Sequence, residues 1–152
     1  MMKSRQSKPK SDSPYDAAIR LLARREHSQQ EIEHKLRQRG FAGDDIDETL
    51  ETLLEQGLLS DQRFTEAYVN SRRNRGFGPQ RIAAELYQRG ISKSMAWEAI
   101  QSDADYWQAL LQEVYERKFG SHRADDLADK ARRVKFLQNR GFPLDWAMKI
   151  VQ

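Results

Sequence analysis

Apolar side chains recur at intervals of three and four residues from Pro14 to the end of the chain. In the first part of the chain they form three successive groups: Ile19, Leu22 and Ala23; Ile32 and Leu36; Ile46, Leu50, Leu53 and Leu54. This spacing places the members of each group on one face of an α-helix. No alternating run of β-branched residues competes with it, so the pattern predicts an all-α fold.

The three-helix pattern then occurs twice more. The second set is Phe64, Ala67, Tyr68 and Ser71, then Ile82 and Leu86, then Ala96, Ala99 and Ile100. The third set is Trp107, Leu110, Leu111 and Val114, then Leu127, Ala131, Val134 and Leu137, then Trp146, Ala147 and Ile150. We expect each set to form one small core.

A hexad, Leu-x-x-Arg-Gly-[Phe/Ile], marks the same place in each set. It covers residues 36–41, 86–91 and 137–142, so its glycines Gly40, Gly90 and Gly141 are 50 and 51 residues apart. Self-similarity at a fixed period of this length is typical of tandem repeats. The hexad also fits a Schellman helix end, in which a left-handed glycine is followed by an apolar residue that contacts the third residue before the cap. We therefore interpret it as a repeated helix stop.

The repeats divide the chain into four parts. Residues 1–13 are polar and basic without periodicity, which is typical of a disordered tail. The three-helix repeats are then predicted over residues 14–59, 60–102 and 103–152. Because modules of this size bury part of their apolar surface against neighbours, we expect three tandem three-helix repeats in an elongated, gently curved array, and a monomer.

Composition narrows the class of protein. The chain has no cysteine, which excludes disulfides and thiolate metal sites. No apolar run approaches the ~20 residues that cross a membrane, so we expect no membrane association and a cytoplasmic location. The net charge is only +3, but residues 15–59 carry six basic and ten acidic side chains, whereas residues 60–91 carry six basic and three acidic ones. Two surfaces of opposite charge indicate two kinds of partner.

No motif indicates catalysis or a cofactor. His27, His34 and His122 do not form a set with metal-ligand spacing. The segment Gly76-Phe77-Gly78-Pro79 lacks the glycine, lysine and hydroxyl residue of a phosphate-binding loop, and no strand precedes it. We expect no catalytic residue, no metal and no cofactor.

The basic residues are the better candidates for function. They gather around the junction of the fourth and fifth predicted helices, with a matching pair at the end of the first: Arg63, Arg72, Arg73, Arg75 and Arg81; Arg24 and Arg25. Arginines grouped in this way can contact the phosphates of a nucleic acid. Phe77 lies among them without a core position and is expected to be exposed, where it could stack on a base. The alternative, a solvated face with cations at helix ends, stays open.

Several of these segments together resemble the RecX family of bacterial recombinase regulators. They are residues 22–28 with Glu31 and Leu36, residues 57–64 with Tyr68, and then Ser71-Arg72, residues 76–79, Arg81-Ile82, Glu85-Leu86 and Gly90-Ile91. The resemblance runs from residue 17 to 100 and thins afterwards to Tyr106-Trp107 and residues 140–142.

The resemblance implies a non-enzymatic negative regulator of the RecA recombinase. Family members lodge in the groove of the RecA–single-stranded-DNA filament and depress its ATPase, strand-exchange and co-protease activities. This implies a role in DNA repair, recombination and the SOS response, with RecA and single-stranded DNA as partners. A second hypothesis is a stand-alone DNA-binding protein of helix-turn-helix type that binds duplex DNA, because three-helix units of this size commonly do so.

Overall fold

The computed structural model describes residues 12–102 and 104–152, and within these ranges every regular element is an α-helix. The helices are α1 (Pro14–Arg24), α2 (Gln29–Gln38), α3 (Gly43–Glu55), α4 (Asp61–Asn74), α5 (Pro79–Gln88), α6 (Lys93–Gln101), α7 (Ala104–Phe119), α8 (Leu127–Arg140) and α9 (Leu144–Ile150). The predicted all-α class and its three-helix repeats are confirmed. No helix in the described ranges is long and apolar enough to cross a membrane.

The chain divides into two compact units, one ending at Phe64 and one formed by residues 65–152. The core of the first unit comes from α1, α2, α3 and the turn that follows: Ala17, Ala18, Ile32, Leu36, Ile46, Leu53 and Leu59. In the second unit the buried apolar residues of α4–α6 include Val69, Ile82, Ala83, Leu86, Ala96 and Ile100, and those of α7–α9 include Trp107, Leu111, Val114, Leu137 and Ala147. The division falls inside α4, and the repeat boundary at residues 59 and 60 stays a prediction.

The hexads end helices as predicted. Gly40, Gly90 and Gly141 have φ angles of 90°, 86° and 107°. In each hexad the N–H of the residue after glycine donates to the carbonyl of the hexad leucine, over 3.3, 3.0 and 3.1 Å. These bonds satisfy a carbonyl that the helix itself leaves without a partner.

The buried face of α8 differs from the predicted one. Leu127 is 82% exposed and Ala131 is exposed, whereas Arg133 is buried. Arg133 donates to the Tyr115 hydroxyl and to the His122 carbonyl, both over 2.8 Å. Periodicity alone does not find this register, because it places an arginine inward and its hydrogen-bond partners come from α7 and the following turn.

The buried face of α1 also differs slightly from the predicted one. Ala17 and Ala18 are buried, Ile19 and Leu22 are partly buried, and Ala23 is exposed. Small residues at the contact allow α1 to lie close to its neighbours.

Most of the predicted disordered tail, residues 1–11, lies outside the described residues. Its last two residues contact the first unit. Asp12 accepts hydrogen bonds from Arg20 and Arg39, and the Ser13 hydroxyl caps α1 by accepting from the Asp16 N–H over 3.1 Å.

Candidate nucleic-acid interface

The end of α4 is a fourth copy of the hexad stop with one informative change. Gly76 has a φ angle of 86°, and the Phe77 N–H donates to the Arg72 carbonyl over 3.2 Å. Arg72 therefore stands where the three hexads have leucine. Its guanidinium lies 4.0 Å from the centroid of the Phe77 ring, so a cation–π contact replaces the apolar one.

Two further arginines lie against the same ring. The guanidinium carbons of Arg81 and Arg140 are 4.3 and 4.7 Å from the Phe77 centroid. Phe77 is half-buried, so the expectation of an exposed ring is wrong. Its neighbours explain this, because an aromatic face attracts guanidinium groups and is covered by them. We use the name Phe77 cluster for Phe77, Arg72, Arg81, Arg140 and Glu85, whose carboxylate is shared by Arg72 and Arg81.

Glu85 holds two of these arginines in place. It accepts from Arg72 Nε and Nη2 over 2.9 and 3.0 Å, in the two-pronged geometry that suits a guanidinium. It also accepts from Arg81 Nε over 3.2 Å and from the Tyr68 hydroxyl over 2.9 Å. Burial acts to raise the pKa of Glu85, but the hydrogen bonds from Arg72, Tyr68 and Arg81 outweigh burial and the pKa lies below its ordinary value. Glu85 is therefore a fixed negative charge at neutral pH.

Backbone contacts bring Arg140 to the cluster. The Gly78 N–H donates to the Arg140 carbonyl over 2.7 Å, and the Gln80 N–H donates to the Gly141 carbonyl over 3.0 Å. A Cβ atom on Gly78 would lie 2.6 Å from the Gly141 carbonyl carbon, and one on Gly141 would lie 2.4 Å from Arg81 Cβ. Only glycine allows the two backbones to come this close. The start of α5 is thus joined to the end of α8.

Arg140 is the cation of the cluster that has no carboxylate. Among the described residues, no acidic side chain forms an ion pair with it, and its buried Nε has no hydrogen-bond partner. Burial lowers the pKa of Arg140 from its ordinary value, and the neighbouring charges of Arg81 and Arg72 lower it further. The sequence pattern identified Arg140 only as the arginine of the third hexad.

The two other predicted arginines around the end of α4 have separate surroundings. Arg73 is half-buried, and its guanidinium lies 4.2 Å from the Tyr106 ring centroid and 5.9 Å from that of Trp107. Arg75 is exposed and forms no ion pair with a described residue. The structure therefore gathers Arg72, Arg81 and Phe77 but gives Arg73 a different aromatic partner.

The predicted residues of the first unit are largely offset by acids. Arg25 Nη1 donates to the Glu31 carboxylate over 3.1 Å and to the Glu26 carbonyl over 2.8 Å. Arg63 Nε donates to the Glu26 carboxylate over 2.9 Å. Arg24 is exposed at the end of α1. Exposed pairs of this kind stabilise weakly, so an anionic ligand can displace them at small cost.

Part of this site could have been found from the sequence. Arg72-Arg73-Asn74-Arg75-Gly76-Phe77 matches the hexad except for arginine in place of leucine. Reading it as a helix stop predicts the contact of Arg72 with Phe77. No local signal connects Arg140 to this segment. The described residues contain no cluster of three or more potential metal ligands.

Three domain descriptions from one family match the chain in order. Residues 15–53 match the RecX first three-helix domain, residues 60–100 the second and residues 104–151 the third. The chain belongs to the RecX family. The third match includes the region where the resemblance seen in the sequence was thin.

RecX proteins of several bacteria are similar to this chain over most of their length. The regulatory protein RecX of Pseudomonas syringae pv. tomato is 44% identical over 128 residues, which cover 84% of this chain and 83% of that protein. The regulatory protein RecX of Halorhodospira halophila is 44% identical over 135 residues, which cover 89% of this chain and 84% of that protein. The crystal structure of RecX from Lactobacillus salivarius superposes on this chain with a TM-score of 0.79 at 25% sequence identity. The superposition covers 91% of this chain and 92% of that one. The family is one of regulatory proteins.

Proposed function

We propose that this chain is a negative regulator of the RecA recombinase that binds in the groove of the RecA–single-stranded-DNA filament. By occupying the groove it depresses ATPase, strand-exchange and co-protease activities. It acts without catalysis, as a cytoplasmic monomer, in DNA repair, recombination and the SOS response. The observation that carries the proposal is the ordered match of three RecX domains across residues 15–151.

The Phe77 cluster supports a role for the second repeat in contacting DNA. It holds three guanidinium groups against one carboxylate, so it keeps a positive charge. Guanidinium groups match phosphate oxygens in pairs, and those held by an aromatic face lose less side-chain entropy on binding. In this proposal Phe77 is the support on which the arginines are arranged.

The exposed face of α3 supports a different contact. Asp44, Asp45, Asp47, Glu48 and Glu51 are exposed on this helix, and no described residue forms an ion pair with them. Such a surface repels DNA and attracts basic protein surfaces. We assign DNA contact to the basic residues Arg24, Arg25, Arg63, Arg72, Arg73, Arg75 and Arg81, and protein contact to α3.

The test is the RecA ATPase on single-stranded DNA, titrated with this protein at two salt concentrations. We expect inhibition that is saturable and weaker at the higher salt, because phosphate contacts release counterions. Full RecA activity at saturating protein would contradict the proposal. A footprint on a defined duplex without any effect on RecA would instead favour the stand-alone DNA-binding protein.

A further inference from the structure

A narrow cleft lies beside the Phe77 cluster, between α7, α8 and the turn that ends α4. Its volume is about 180 Å³. The floor is formed by Gly76 and by apolar side chains, Leu110, Val114 and Phe136. We call it the α7–α8 cleft. All of these residues belong to the second compact unit.

The rim of the cleft is strongly cationic. Arg75, Arg117, Lys118 and Arg140 line it, against the carboxylate of Glu113. Arg117 pairs with Glu113 over 2.8 Å, but both side chains are more than half exposed, so the pair is weak. Among the described residues no acid pairs with Arg75, Lys118 or Arg140. The cleft therefore holds more positive charge than its own residues neutralise.

Aromatic rings position two of these cations. Lys118 Nζ lies 5.2 Å from the Phe136 ring centroid. The Arg140 guanidinium lies 5.9 Å from the same centroid and 4.7 Å from that of Phe77. Arg140 thus belongs to both the Phe77 cluster and the α7–α8 cleft. The charge of Arg140 is partly desolvated and is repelled by the charges of Arg81 and Arg72. An anion that binds there offsets both effects.

The volume of the cleft limits the size of the ligand that can bind in it. Pockets for whole small molecules measure about 300–1,000 Å³, so a nucleotide does not fit inside. A single phosphate group fits inside the cleft, provided that the rest of the nucleic acid lies outside it. Backbone phosphates also carry one charge each at short intervals, which suits a row of cations along a groove.

We propose that the α7–α8 cleft binds one backbone phosphate of a single-stranded nucleic acid, with Arg140, Arg117, Lys118 and Arg75 as its cationic contacts. This inference rests on the proposed function and extends the DNA-contacting surface from the second repeat into the third. Through Arg140 the cleft is continuous with the Phe77 cluster. The third repeat is then a DNA-binding element.

The first test measures the binding of a short oligothymidylate to the full chain at several salt concentrations. The variant Arg117→Gln/Lys118→Gln removes two exposed cations of the cleft. We expect its salt slope to fall by up to ~0.7, which is the contribution of the one single-strand phosphate that the cleft binds. The matched control is Arg123→Gln/Lys130→Gln, which removes one arginine and one lysine at exposed positions outside the cleft and should keep the slope of the unsubstituted protein.

Substitution of the Glu113 carboxylate should have the opposite effect on oligothymidylate binding. Glu113→Gln should tighten oligothymidylate binding, because it removes the negative charge of the rim. Weaker binding by Glu113→Gln, or equal slopes for the two double variants, would overturn the inference. Equal slopes with normal RecA inhibition would leave the proposed function standing. Absence of both binding and inhibition in the unsubstituted protein would overturn the two together.

The source of the anion is tested by nuclear magnetic resonance of the arginine Nε–Hε groups. The Arg140 signal, identified by its loss in Arg140→Lys, should shift on titration with oligothymidylate at lower concentration than with inorganic phosphate. A poly-glutamate peptide should be the weakest ligand. Tighter binding of poly-glutamate than of oligothymidylate would contradict a nucleic-acid phosphate and would favour an acidic protein segment.

Discussion

The guanidinium of Arg72 lies 4.0 Å from the centre of the Phe77 ring, at the end of α4 where other helices of the chain place leucine against an apolar residue. The helix stop therefore keeps its backbone hydrogen bonds, but arginine in place of leucine replaces the apolar contact by a cation–π contact. Arg72 also donates to both carboxylate oxygens of Glu85. A structural motif used for helix ends here supports a basic surface.

Substitutions of Arg72 separate its structural role from its charge. Arg72→Leu restores the apolar contact with Phe77, whereas Arg72→Ala removes it. We expect Arg72→Leu to be more stable than Arg72→Ala by about 1 kcal/mol, since one or two buried methylene groups are regained. Both should bind oligothymidylate more weakly than the unsubstituted protein. Urea unfolding and a binding titration measure the two effects, and equal stabilities would contradict a packing role.

Glu85 should make stability depend on pH in the acidic range. Its pKa is lowered in the folded state, so the unfolded chain binds more protons as pH falls below about 4.3, the ordinary glutamate value. The contribution of Glu85 is therefore complete above that pH and is lost as pH falls through the folded-state pKa. We expect Glu85→Gln to remove this part of the acid sensitivity.

The matched control for Glu85 is Glu98→Gln, an exposed glutamate on α6. Its unfolding curve between neutral and acidic pH should follow that of the unsubstituted protein. The interpretation of Glu85 would fail if both variants changed the pH dependence of the free energy of unfolding equally.

The backbone contact between Gly78 and Gly141 should tolerate no added carbon. Gly78→Ala places a Cβ atom 2.6 Å from the Gly141 backbone, and overpacking of this kind costs on the order of 3 kcal/mol. Gly43→Ala is the control, because a Cβ atom there has no neighbour within 4 Å. It should be neutral or stabilising by up to ~1 kcal/mol. Similar losses at both positions in thermal unfolding would argue against the close approach.

The predicted arginines around the end of α4 are tested together and singly. Replacing Arg72, Arg73 and Arg75 by alanine should weaken single-stranded-DNA binding and reduce the salt slope by up to ~0.7 for each phosphate contact that is lost. RecA inhibition should weaken in parallel. Arg75→Ala alone should reduce the slope by less than ~0.7, because Arg140, Arg117 and Lys118 still face the same phosphate, and it should leave stability unchanged, because Arg75 is exposed. Arg37→Ala, an exposed arginine of α2 outside the predicted set, serves as the control.

If the triple variant remained folded, and its salt slope and its inhibition of RecA both equalled those of the unsubstituted protein, DNA would not contact this face. A loss of affinity equal to that of Arg37→Ala would indicate a general charge effect.

The sequence by itself determined the features that depend on neighbouring residues. Helix stops at Gly40, Gly90 and Gly141 need only a leucine, a left-handed glycine and an apolar residue within six positions, and all three form as predicted. The all-α class follows from the same local periodicity. The arginines of α4 and Arg81 were recognised as a cluster because they are close along the chain.

Tertiary structure alone decided the rest. Arg140 reaches Phe77 only because Gly78 and Gly141 let α5 and α8 meet, and Arg133 rather than Leu127 faces inward on α8 because Tyr115 and the His122 carbonyl satisfy its guanidinium. Phe77 is covered because three guanidiniums converge on it from different helices. Local propensity cannot specify such contacts, since their free energy depends on which distant groups the packed core brings within hydrogen-bonding distance.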